Sequence, residues 1–354
     1  MEMIDILAAA VKKGASDIHI VVNKLPLARI NGEIQELREF NEAISAGESK
    51  RLIHAVLSDE QKKHFDEKLE LDCSIHLPGI SRFRLNVLKH KNGMGAVFRS
   101  IPSEIPSPEK LLLAESIVKL AHLPRGLILV TGPTGSGKST TLACLLDIIN
   151  KTRKDHIITV EDPIEFVYES KNCIVTQREV GMHTHSFTDA LKHALREDPD
   201  VVLVGEMRDL ETIGAAITIA ETGHLVLATL HTTDAPSSID RIIDVFPPYQ
   251  QQQIRMQLST CLQAVISQTL VRTLDGNSRV AAREIMIVTT AISNLIREGK
   301  THQLYQAIEV GEKAGMKSLD KSLGHLVRDG VISLDDALAK AHNPEMVKFA
   351  SRYS

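Results

Sequence analysis

A glycine-rich loop between an apolar run and a helical pattern constrains this chain more than any other stretch. The apolar residues 127–130 predict a buried strand, and large apolar residues recur at helical spacing over residues 142–149. Between these segments, residues 132–139 read Gly-x-x-x-x-Gly-Lys-Ser, which predicts a phosphate-binding loop when a strand precedes it and a helix follows. We expect the following residues to bind nucleotide: Gly132, Pro133, Thr134, Gly135, Ser136, Gly137, Lys138, Ser139 and Thr140.

The chemistry of this loop follows from its residue types. Successive backbone N–H groups of a glycine-rich turn can surround phosphate oxygens, and the N-terminus of the following helix adds partial positive charge. Lys138 can reach the outer phosphates as a point charge, and the hydroxyl of Ser139 can bind Mg²⁺. The loop therefore predicts a nucleoside phosphate and Mg²⁺ as its ligands.

Composition and charge exclude several classes of protein. The chain has 354 residues, which favours two domains, and 43% of them are hydrophobic, as in ordinary globular proteins. A formal net charge of −4 provides no general attraction to nucleic acid or to an anionic membrane. No apolar run approaches the roughly 18 residues of a membrane-spanning helix, and the N-terminal residues predict an amphipathic helix rather than a signal peptide. We therefore expect a cytoplasmic protein, in which the four scattered cysteines form neither a zinc site nor disulfides.

The chain divides into two predicted domains joined by a proline-rich linker. Residues 1–100 predict a small α+β domain, in which the dipeptide Asn31-Gly32 favours a hairpin turn. Residues 101–110 contain three prolines and no hydrophobic periodicity, which predicts a semi-rigid linker. Residues 111–354 begin with strands that alternate with helices, a pattern typical of a mostly parallel sheet.

The region after residue 247 predicts mostly helices. One polar helix is expected to begin near residue 250 and to continue through residue 266. Two strand-like segments, 270–273 and 280–286, flank a predicted turn, and several short helices follow them.

Arginines alternate with apolar residues in the last strands of the first domain. Phe83 and Val87 are predicted on one face of a strand, which leaves Arg82 and Arg84 on the other face. Arg99, in the strand that follows, lies on the face opposite to its apolar neighbour. Guanidinium groups two residues apart in a strand can converge on one phosphate. A solvated sheet face is the alternative, and the spacing alone does not decide between the two.

Acidic residues follow two apolar runs of the second domain. Glu161 ends the strand predicted for residues 156–160, and Glu206 follows the apolar run 201–204. Because ligands bind beyond the carboxyl ends of parallel strands, a carboxylate there can orient or deprotonate the water that attacks a γ-phosphate. Glu161 is the first candidate for this role and Glu165 the second, while capping of a loop is the alternative. Glu206 is expected to hold Mg²⁺ through a water molecule.

Two histidines bracket the apolar run 225–230, which predicts a further buried strand. His224 precedes this run and His231 follows it. A histidine at the end of a strand can donate a hydrogen bond to the γ-phosphate, although most histidines in such places are structural. Both residues are therefore candidates for nucleotide contact, and a structural role stays open for each.

Four segments of the second domain resemble the signatures of the secretion-type hexameric ATPases of type II and type IV secretion, and most closely the retraction ATPases of type IV pili. They correspond to the Walker A motif (132–140), the Asp box (158–166), the Walker B motif (198–209) and the His box (222–235). Residues 14–20 and 83–87 also resemble the PAS-like domain of this family. The resemblance thus implies an α/β protein with an N-terminal PAS-like α+β domain and a C-terminal RecA-like P-loop ATPase domain that ends in a helical region.

The resemblance also implies roles for the strand-end residues. Glu161 corresponds to the catalytic glutamate of the family and Glu206 to its Walker B acid. His224 and His231 correspond to the His-box residues, with His231 nearer the γ-phosphate.

The arginines of the first domain match family arginines that approach nucleotide. Arg82, Arg84 and Arg99 occupy these positions, which favours anion binding over a solvated face. An arginine supplied by another domain or subunit makes hydrolysis depend on domain closure, with the linker 101–110 as the hinge.

The function that the resemblance implies is a hexameric ATP-hydrolysing motor that powers type IV pilus retraction and twitching motility. Its expected ligands are ATP and Mg²⁺. Its expected partners are further copies of the same chain, in a homohexamer, and an inner-membrane platform protein of the pilus. We expect the motor to be cytoplasmic and peripheral to the inner face of the cytoplasmic membrane, with no transmembrane segment and no nucleic-acid partner.

Pilus-extension and type II secretion ATPases of the same family are the nearest alternative. They usually carry a further N-terminal domain and a four-cysteine zinc motif, and this sequence shows neither, which favours the retraction type. Residues 291–300 resemble the AIRNLI signature that the family links to retraction. Ser293 stands where an arginine is usual, so a role of that arginine does not carry over.

A nucleic-acid motor and a nucleotide switch with little turnover are alternatives from other classes. The acidic net charge and an aromatic content of 3%, with no tryptophan, argue against grooves that stack bases. Glu161 and Glu206 together argue against a switch, because a catalytic carboxylate and a metal-binding carboxylate both serve hydrolysis.

Overall fold

The structure, a computed structural model, describes residues 1–30, 32–101, 104–276 and 278–352. The chain forms two compact units. The first comprises Met1–Glu104 and Pro163–Val167, and the second comprises Ile105–Asp162 and Tyr168–Ser354.

The division between the units falls within the predicted linker. Residues 163–167 differ from the prediction, since the sequence places them in the second domain and they group with the first unit. Asn31 of the predicted hairpin turn lies outside the described residues, as do Pro102 and Ser103 of the predicted linker.

The described residues of the first unit form a six-stranded antiparallel sheet and three helices. Its helices are α1 (Met3–Lys12), α2 (Ala46–His54) and α3 (Asp59–Lys68). Its strands are β1 (Asp17–Ile20), β2 (Leu27–Ile30), β3 (Glu33–Glu36), β4 (Glu70–Leu77), β5 (Ser81–His90) and β6 (Gly93–Ile101). The strands are arranged in the order β3-β2-β1-β6-β5-β4.

This sheet buries one face and leaves the other polar, because side chains alternate along its strands. Phe83 of β5 and Phe98 of β6 are fully buried, and their rings meet edge to face at a centroid distance of 6.2 Å. Leu85 and Val87 are buried on the same face, whereas Arg84 is exposed on the other. The predicted alternation of this strand is therefore confirmed, and the arginines lie on the polar face.

The second unit contains a larger sheet with helices on both faces. Its strands are β7 (Gly126–Thr131), β8 (His156–Glu161), β9 (Ile174–Glu179), β10 (Val201–Val204), β11 (Leu225–Leu230), β12 (Leu262–Arg272) and β13 (Arg279–Ile287). Its helices are α4 (Glu115–Leu120), α5 (Lys138–Thr152), α6 (Phe187–Ala194), α7 (Leu210–Glu221), α8 (Ala235–Asp244), α9 (Pro248–Cys261), α10 (Thr290–Arg297), α11 (Leu304–Val310), α12 (Leu319–Arg328), α13 (Leu334–Leu338) and α14 (Pro344–Ala350).

The order of strands in this sheet is β13-β12-β7-β11-β10-β8-β9. Neighbouring strands from β12 to β9 are parallel, and β13, at the edge, is antiparallel to β12. Residues of β7 alternate between two cores, with Leu127 and Leu129 in one and Ile128 and Val130 in the other. Burial on both faces explains why the central strands β7, β10 and β11 are mainly apolar. The predicted α/β class with a mostly parallel sheet is confirmed.

One predicted helix is partly a strand. The helix predicted for residues 250–266 ends at Cys261, and residues 262–272 form β12, which pairs in parallel with β7. Ala264, Val265 and Ile266 are fully buried, because this strand is covered on both faces of the sheet. A short apolar run has no periodicity that separates a buried strand from the end of a helix.

The C-terminal helices pack against the hairpin of β12 and β13 and against one another. Val271 of β12 shares a core with Leu323 of α12 and Val347 of α14. α12 and α14 approach closely at Gly324, where an added Cβ would lie 2.5 Å from the Cβ of Ala350. Packing rather than backbone conformation therefore requires glycine here. Among the residues that the structure describes, no helix is both long and apolar enough to cross a membrane.

We expect Gly324→Ala to lower the free energy of unfolding by about 1–3 kcal/mol, because the added methyl group forces α12 and α14 apart. Urea denaturation of the full chain measures this change. Gly47→Ala in α2 is the matched control, since nothing lies within 4 Å of an added Cβ there, and we expect it to be neutral or stabilising. Equal stabilities of the two variants would contradict the close helix packing.

Candidate active site

The loop between β7 and α5 depends on glycines that adopt conformations other residues avoid. Gly132, Gly135 and Gly137 have φ angles of 141°, 77° and 87°. An added Cβ at Gly132 would lie 2.3 Å from the carbonyl oxygen of Gln268, so a larger residue does not fit there. The glycine pattern in the sequence therefore reflects both the backbone conformation and a close approach to β12.

Lys138, the first residue of α5, folds back over this loop. Its Nζ donates to the carbonyl oxygens of Gly132, at 2.8 Å, and Pro133, at 3.2 Å. Burial lowers the pKa of the Lys138 ammonium group, and the charge of Glu206 opposes this shift. The hydroxyl of Ser136 is buried and has no hydrogen-bond partner among the described residues. The loop thus presents a cation and an unused hydroxyl, which suit a phosphate group.

The other predicted residues of the loop lie at its tip and at the start of α5. Pro133, Thr134 and Gly135 are exposed at the tip, and Ser139 and Thr140 are half-buried in the first turn of the helix. The tip is therefore open to a ligand, and the Ser139 hydroxyl belongs to the helix N-terminus, where negative charge is stabilised.

The parallel strands bring the remaining predicted groups of the second unit to one edge of the sheet. Glu161 is the last residue of β8, Glu206 follows β10 by two residues, and His231 directly follows β11. Thr131, the last residue of β7, leads into the phosphate loop at this same edge. The carboxyl ends of parallel strands are the usual position for ligands in such sheets.

Glu161 is held by hydrogen bonds in a buried position. It is 5% exposed, and its Oε1 accepts from the Thr159 hydroxyl at 2.7 Å and from Gln177 Nε2 at 3.3 Å. An added Cβ at Gly205 would lie 3.2 Å from the Cα of Glu161. Gly205, the residue before Glu206, therefore allows the ends of β8 and β10 to approach each other. The carboxylates of Glu161 and Glu206 lie at or just beyond these strand ends.

Glu206 is surrounded by positively charged and donor groups. Its carboxylate lies 2.7 Å from Nε and 2.8 Å from Nη2 of Arg208, and 3.0 Å from Nε2 of His231. Burial alone would raise the pKa of the Glu206 carboxyl, but the hydrogen bond from Arg208 and the charges of His231 and Arg208 bring it below its ordinary value of 4.5. The carboxylate is therefore ionised at neutral pH. With the Ser139 hydroxyl it makes up a set of oxygen ligands of the kind that Mg²⁺ prefers.

His224 lies at the opposite edge of the sheet. Its carbonyl accepts from the backbone N–H of Gly126, the first residue of β7, which is the end of that strand away from the phosphate loop. Its Nδ1 lies 3.0 Å from the carbonyl oxygen of Ile219 and 3.1 Å from the hydroxyl of Thr222. The whole length of β11 separates it from His231. The structure does not bring His224 to the phosphate loop of its own chain, and its nucleotide contact stays a prediction.

The first unit carries a row of charged residues across neighbouring strands. Arg84 of β5 lies opposite Arg99 of β6, Arg99 lies opposite Asp17 of β1, and Asp17 lies opposite Arg29 of β2. Arg99 Nε donates to Asp17 at 2.8 Å, and Arg29 Nε is 3.8 Å from the same carboxylate. Like charges directly opposite each other destabilise a sheet. The Asp17 carboxylate thus lies between two guanidinium groups, and a third, that of Arg84, lies on the strand beyond Arg99. This arrangement favours a bound anion.

Arg82 lies on the same face but is held toward the outer strand. Its Nη2 donates to the hydroxyl of Ser74, a buried residue of β4, at 2.7 Å. Arg84 and Arg99 are both exposed. Arg82 is therefore partly engaged in a hydrogen bond, whereas Arg84 and Arg99 form an exposed pair that can bind a ligand.

A family model described as "Type II/IV secretion system protein" matches residues 2–311 of the chain. The chain belongs to this family. The match includes the arginine row of the first unit as well as the phosphate loop and the carboxylates of the second, so the family prediction is confirmed for both units.

Several named proteins are similar to this chain over most of its length. A Pseudomonas aeruginosa protein named "Type IV pilus retractation ATPase PilT" is 51% identical over 345 residues, which are 98% of this chain and 99% of the relative. A Neisseria gonorrhoeae protein named "Twitching motility protein" is 49% identical over 324 residues, 92% of this chain and 86% of the relative. A crystal structure titled "Crystal Structure of the Pilus Retraction Motor PilT and Bound ADP" has a TM-score of 0.92 at 45% identity and covers 98% of both chains.

These similarities confirm two further predictions. The fold is that of a secretion ATPase, with a RecA-like second unit and a small N-terminal α+β unit. The chain is a P-loop ATPase of the secretion family.

Gln268 of β12 is a residue of this ATPase site that the sequence did not reveal. It is 3% exposed, its Nε2 donates to the carbonyl oxygen of Ser136 at 2.7 Å, and its Oε1 accepts from the Thr141 hydroxyl at 2.9 Å. The side chain thus ties the phosphate loop to the first turns of α5. The signal was the apolar run 264–266, which leads to this residue if it is interpreted as a strand.

We expect Gln268→Leu to weaken ADP binding at least about tenfold, because each lost hydrogen bond leaves a buried group unpaired. Fluorescence titration with an ADP analogue measures the affinity, and thermal denaturation of the same protein shows whether the fold persists. Gln253→Leu, at an exposed position of α9, is the matched control. An unchanged ADP affinity in a folded Gln268→Leu chain would show that the loop keeps its shape without this side chain.

Proposed function

We propose that the chain is the motor ATPase that retracts a type IV pilus and so powers twitching motility. The observation that carries this proposal is the joint presence of Glu161, Glu206 and His231 at the phosphate-loop edge of the sheet. It supports ATP hydrolysis, and the relative named as a pilus retraction ATPase, which matches 98% of the chain, supports the retraction function.

The phosphate loop binds the triphosphate of ATP in this proposal. Lys138 turns from the carbonyl oxygens of the loop to the phosphate oxygens, and the buried hydroxyl of Ser136 gains a hydrogen-bond partner. Ser139 and Glu206 hold Mg²⁺, directly or through water. When bound, this ion neutralises charge on the β- and γ-phosphates.

Glu161 acts as the catalytic base in this proposal. Its hydrogen bonds from Thr159 and Gln177 hold the carboxylate at the end of β8, where it can orient or deprotonate the attacking water. His231 can exchange its contact with Glu206 for the γ-phosphate, because its Nε2 lies within hydrogen-bond distance of that carboxylate.

The arginine row supplies cations to a nucleotide bound by another subunit in this proposal. In a homohexamer, Arg84 and Arg99, with Arg82 beside them, neutralise charge that develops on the γ-phosphoryl group. Hydrolysis then depends on assembly and on closure of one unit toward another. The closing motion acts on the platform protein of the pilus at the cytoplasmic face of the inner membrane.

We expect Glu161→Gln to lower steady-state ATP hydrolysis by about 10²–10⁴-fold, the usual contribution of a general base. Nucleotide affinity should change little, because glutamine keeps an oxygen that can accept from Thr159. Phosphate release and ADP titration measure the two properties separately.

Glu211→Gln, at an exposed position of α7, is the matched control for this substitution. Glu165→Gln tests the second candidate base. Loss of activity in Glu165→Gln with normal activity in Glu161→Gln would reverse the assignment of the base.

The arginine proposal predicts that ATP hydrolysis per chain rises as the ring assembles. The rate is measured against protein concentration, with molecular mass measured in parallel, for the wild type, Glu206→Ala, Arg84→Ala and the exposed control Arg38→Ala. We expect both Glu206→Ala and Arg84→Ala to lose the rate gained on assembly and Arg38→Ala to keep it. If the monomer hydrolyses ATP at the full rate and Arg84→Ala does not change this rate, a role of these arginines in hydrolysis would be refuted.

A further inference from the structure

Arg283, in the middle of β13, is a buried cation. It is 6% exposed, and its Nη1 donates to the carbonyl oxygens of Leu111, at 3.0 Å, and Leu112, at 3.4 Å. Its Nε is buried without a hydrogen-bond partner, and among the described residues no carboxylate pairs with the guanidinium group. The two carbonyl groups leave most of its donors unused, since a guanidinium group has five N–H donors.

An unpaired buried charge is costly, and proteins normally pair it or bind a counterion. Burial lowers the pKa of Arg283 to about 10, which is still well above neutral pH. The group is therefore charged at pH 7. An anion next to Arg283 would remove the energetic penalty that the protein itself leaves uncompensated.

A cavity of about 350 Å³ adjoins Arg283 and lies between β13, α12 and the start of α4. Lys317, Ser322 and His325 also line it, and the exposed pair Arg328 and Asp329 lies at its rim. Its volume falls within the range of small-molecule sites. The site therefore combines a partly open cavity with several side-chain donors.

The charges around this cavity are mainly positive. Lys317 forms no ion pair within the described part of the chain, and the single acid of the lining, Asp329, accepts from Arg328 Nε at 3.0 Å. Burial, followed by the charges of Lys317 and Arg328, lowers the pKa of His325. The imidazole is therefore neutral at pH 7 and offers one N–H donor, and the field of its neighbours favours an anion.

We propose that this cavity binds a small phosphate monoester. Arg283 and Lys317 supply the charge, and His325 supplies a neutral donor. The Ser322 oxygen accepts from the backbone N–H of Arg283 at 3.0 Å, so its hydroxyl hydrogen can be donated to the ligand. A guanidinium group, an ammonium group, an imidazole and a hydroxyl match the several acceptor oxygens of a phosphate better than the two of a carboxylate.

This site is separate from the phosphate loop. It is formed on the edge strand β13, which β12 separates from β7. Because Arg283 also holds the carbonyl groups of Leu111 and Leu112, binding is linked to the segment that leads from the first unit into α4.

The experiment is isothermal titration of the full chain with glycerol 3-phosphate at pH 7. The phosphate loop is kept saturated with ADP, so that its own affinity for phosphate does not contribute. Sodium chloride at equal ionic strength is the reference. We expect saturable binding of one ligand per chain, weakened about tenfold or more in both Lys317→Gln and His325→Gln, because each substitution removes a hydrogen-bond donor to a charged ligand.

Lys313→Gln, an exposed position outside the cavity, is the matched control and should bind as the wild type does. Absence of saturable binding both in solution and on vesicles that contain phosphatidic acid would refute the site, as would equal binding in Lys317→Gln, His325→Gln and the wild type. Vesicles that contain phosphatidic acid test whether the phosphate monoester is a lipid headgroup or a soluble molecule. Binding to these vesicles without binding of the soluble monoester would exclude a soluble ligand.

Discussion

The shape of the phosphate loop depends on close contact with β12. The missing side chain of Gly132 allows the loop backbone to lie against the carbonyl group of Gln268, and the side chain of the same glutamine holds Ser136 and Thr141. The loop is thus supported by a neighbouring strand that lies far from it in sequence. A binding loop with glycines at three positions of positive φ needs such support, because glycine leaves the unfolded backbone more conformations to lose.

The parallel order of strands then determines which residues can act together. β8, β10, β11 and β7 end at one edge of the sheet, so their final residues meet although about 100 residues of sequence separate them. Glu206 and His231 are in hydrogen-bond contact for this reason. His224 directly precedes the strand that His231 follows, and the same geometry places it at the other edge.

Features determined by local sequence could be predicted, and features determined by contacts between distant segments could not. The phosphate loop is one continuous motif, and Glu161 and Glu206 follow from the rule for parallel strands. Gln268 was missed because the short apolar run before it is compatible with helix or strand until the pairing with β7 is known. Arg283 likewise has no sequence signal, since its burial comes from the packing of β13 against α12 and the segment before α4.

The positions of the charged residues in the two units support the proposed dependence of hydrolysis on assembly. In the second unit, Lys138 is the cation of the phosphate loop, and Arg208 is already paired with Glu206. A triphosphate that accumulates charge in the transition state needs further cations. The polar sheet face of the first unit carries such cations, because Arg99 and Arg29 share the carboxylate of Asp17 and Arg84 lies beside Arg99 on the next strand. Under the proposed function, the exposed arginines of one subunit supply these cations to the nucleotide of another, and assembly then becomes a requirement for hydrolysis.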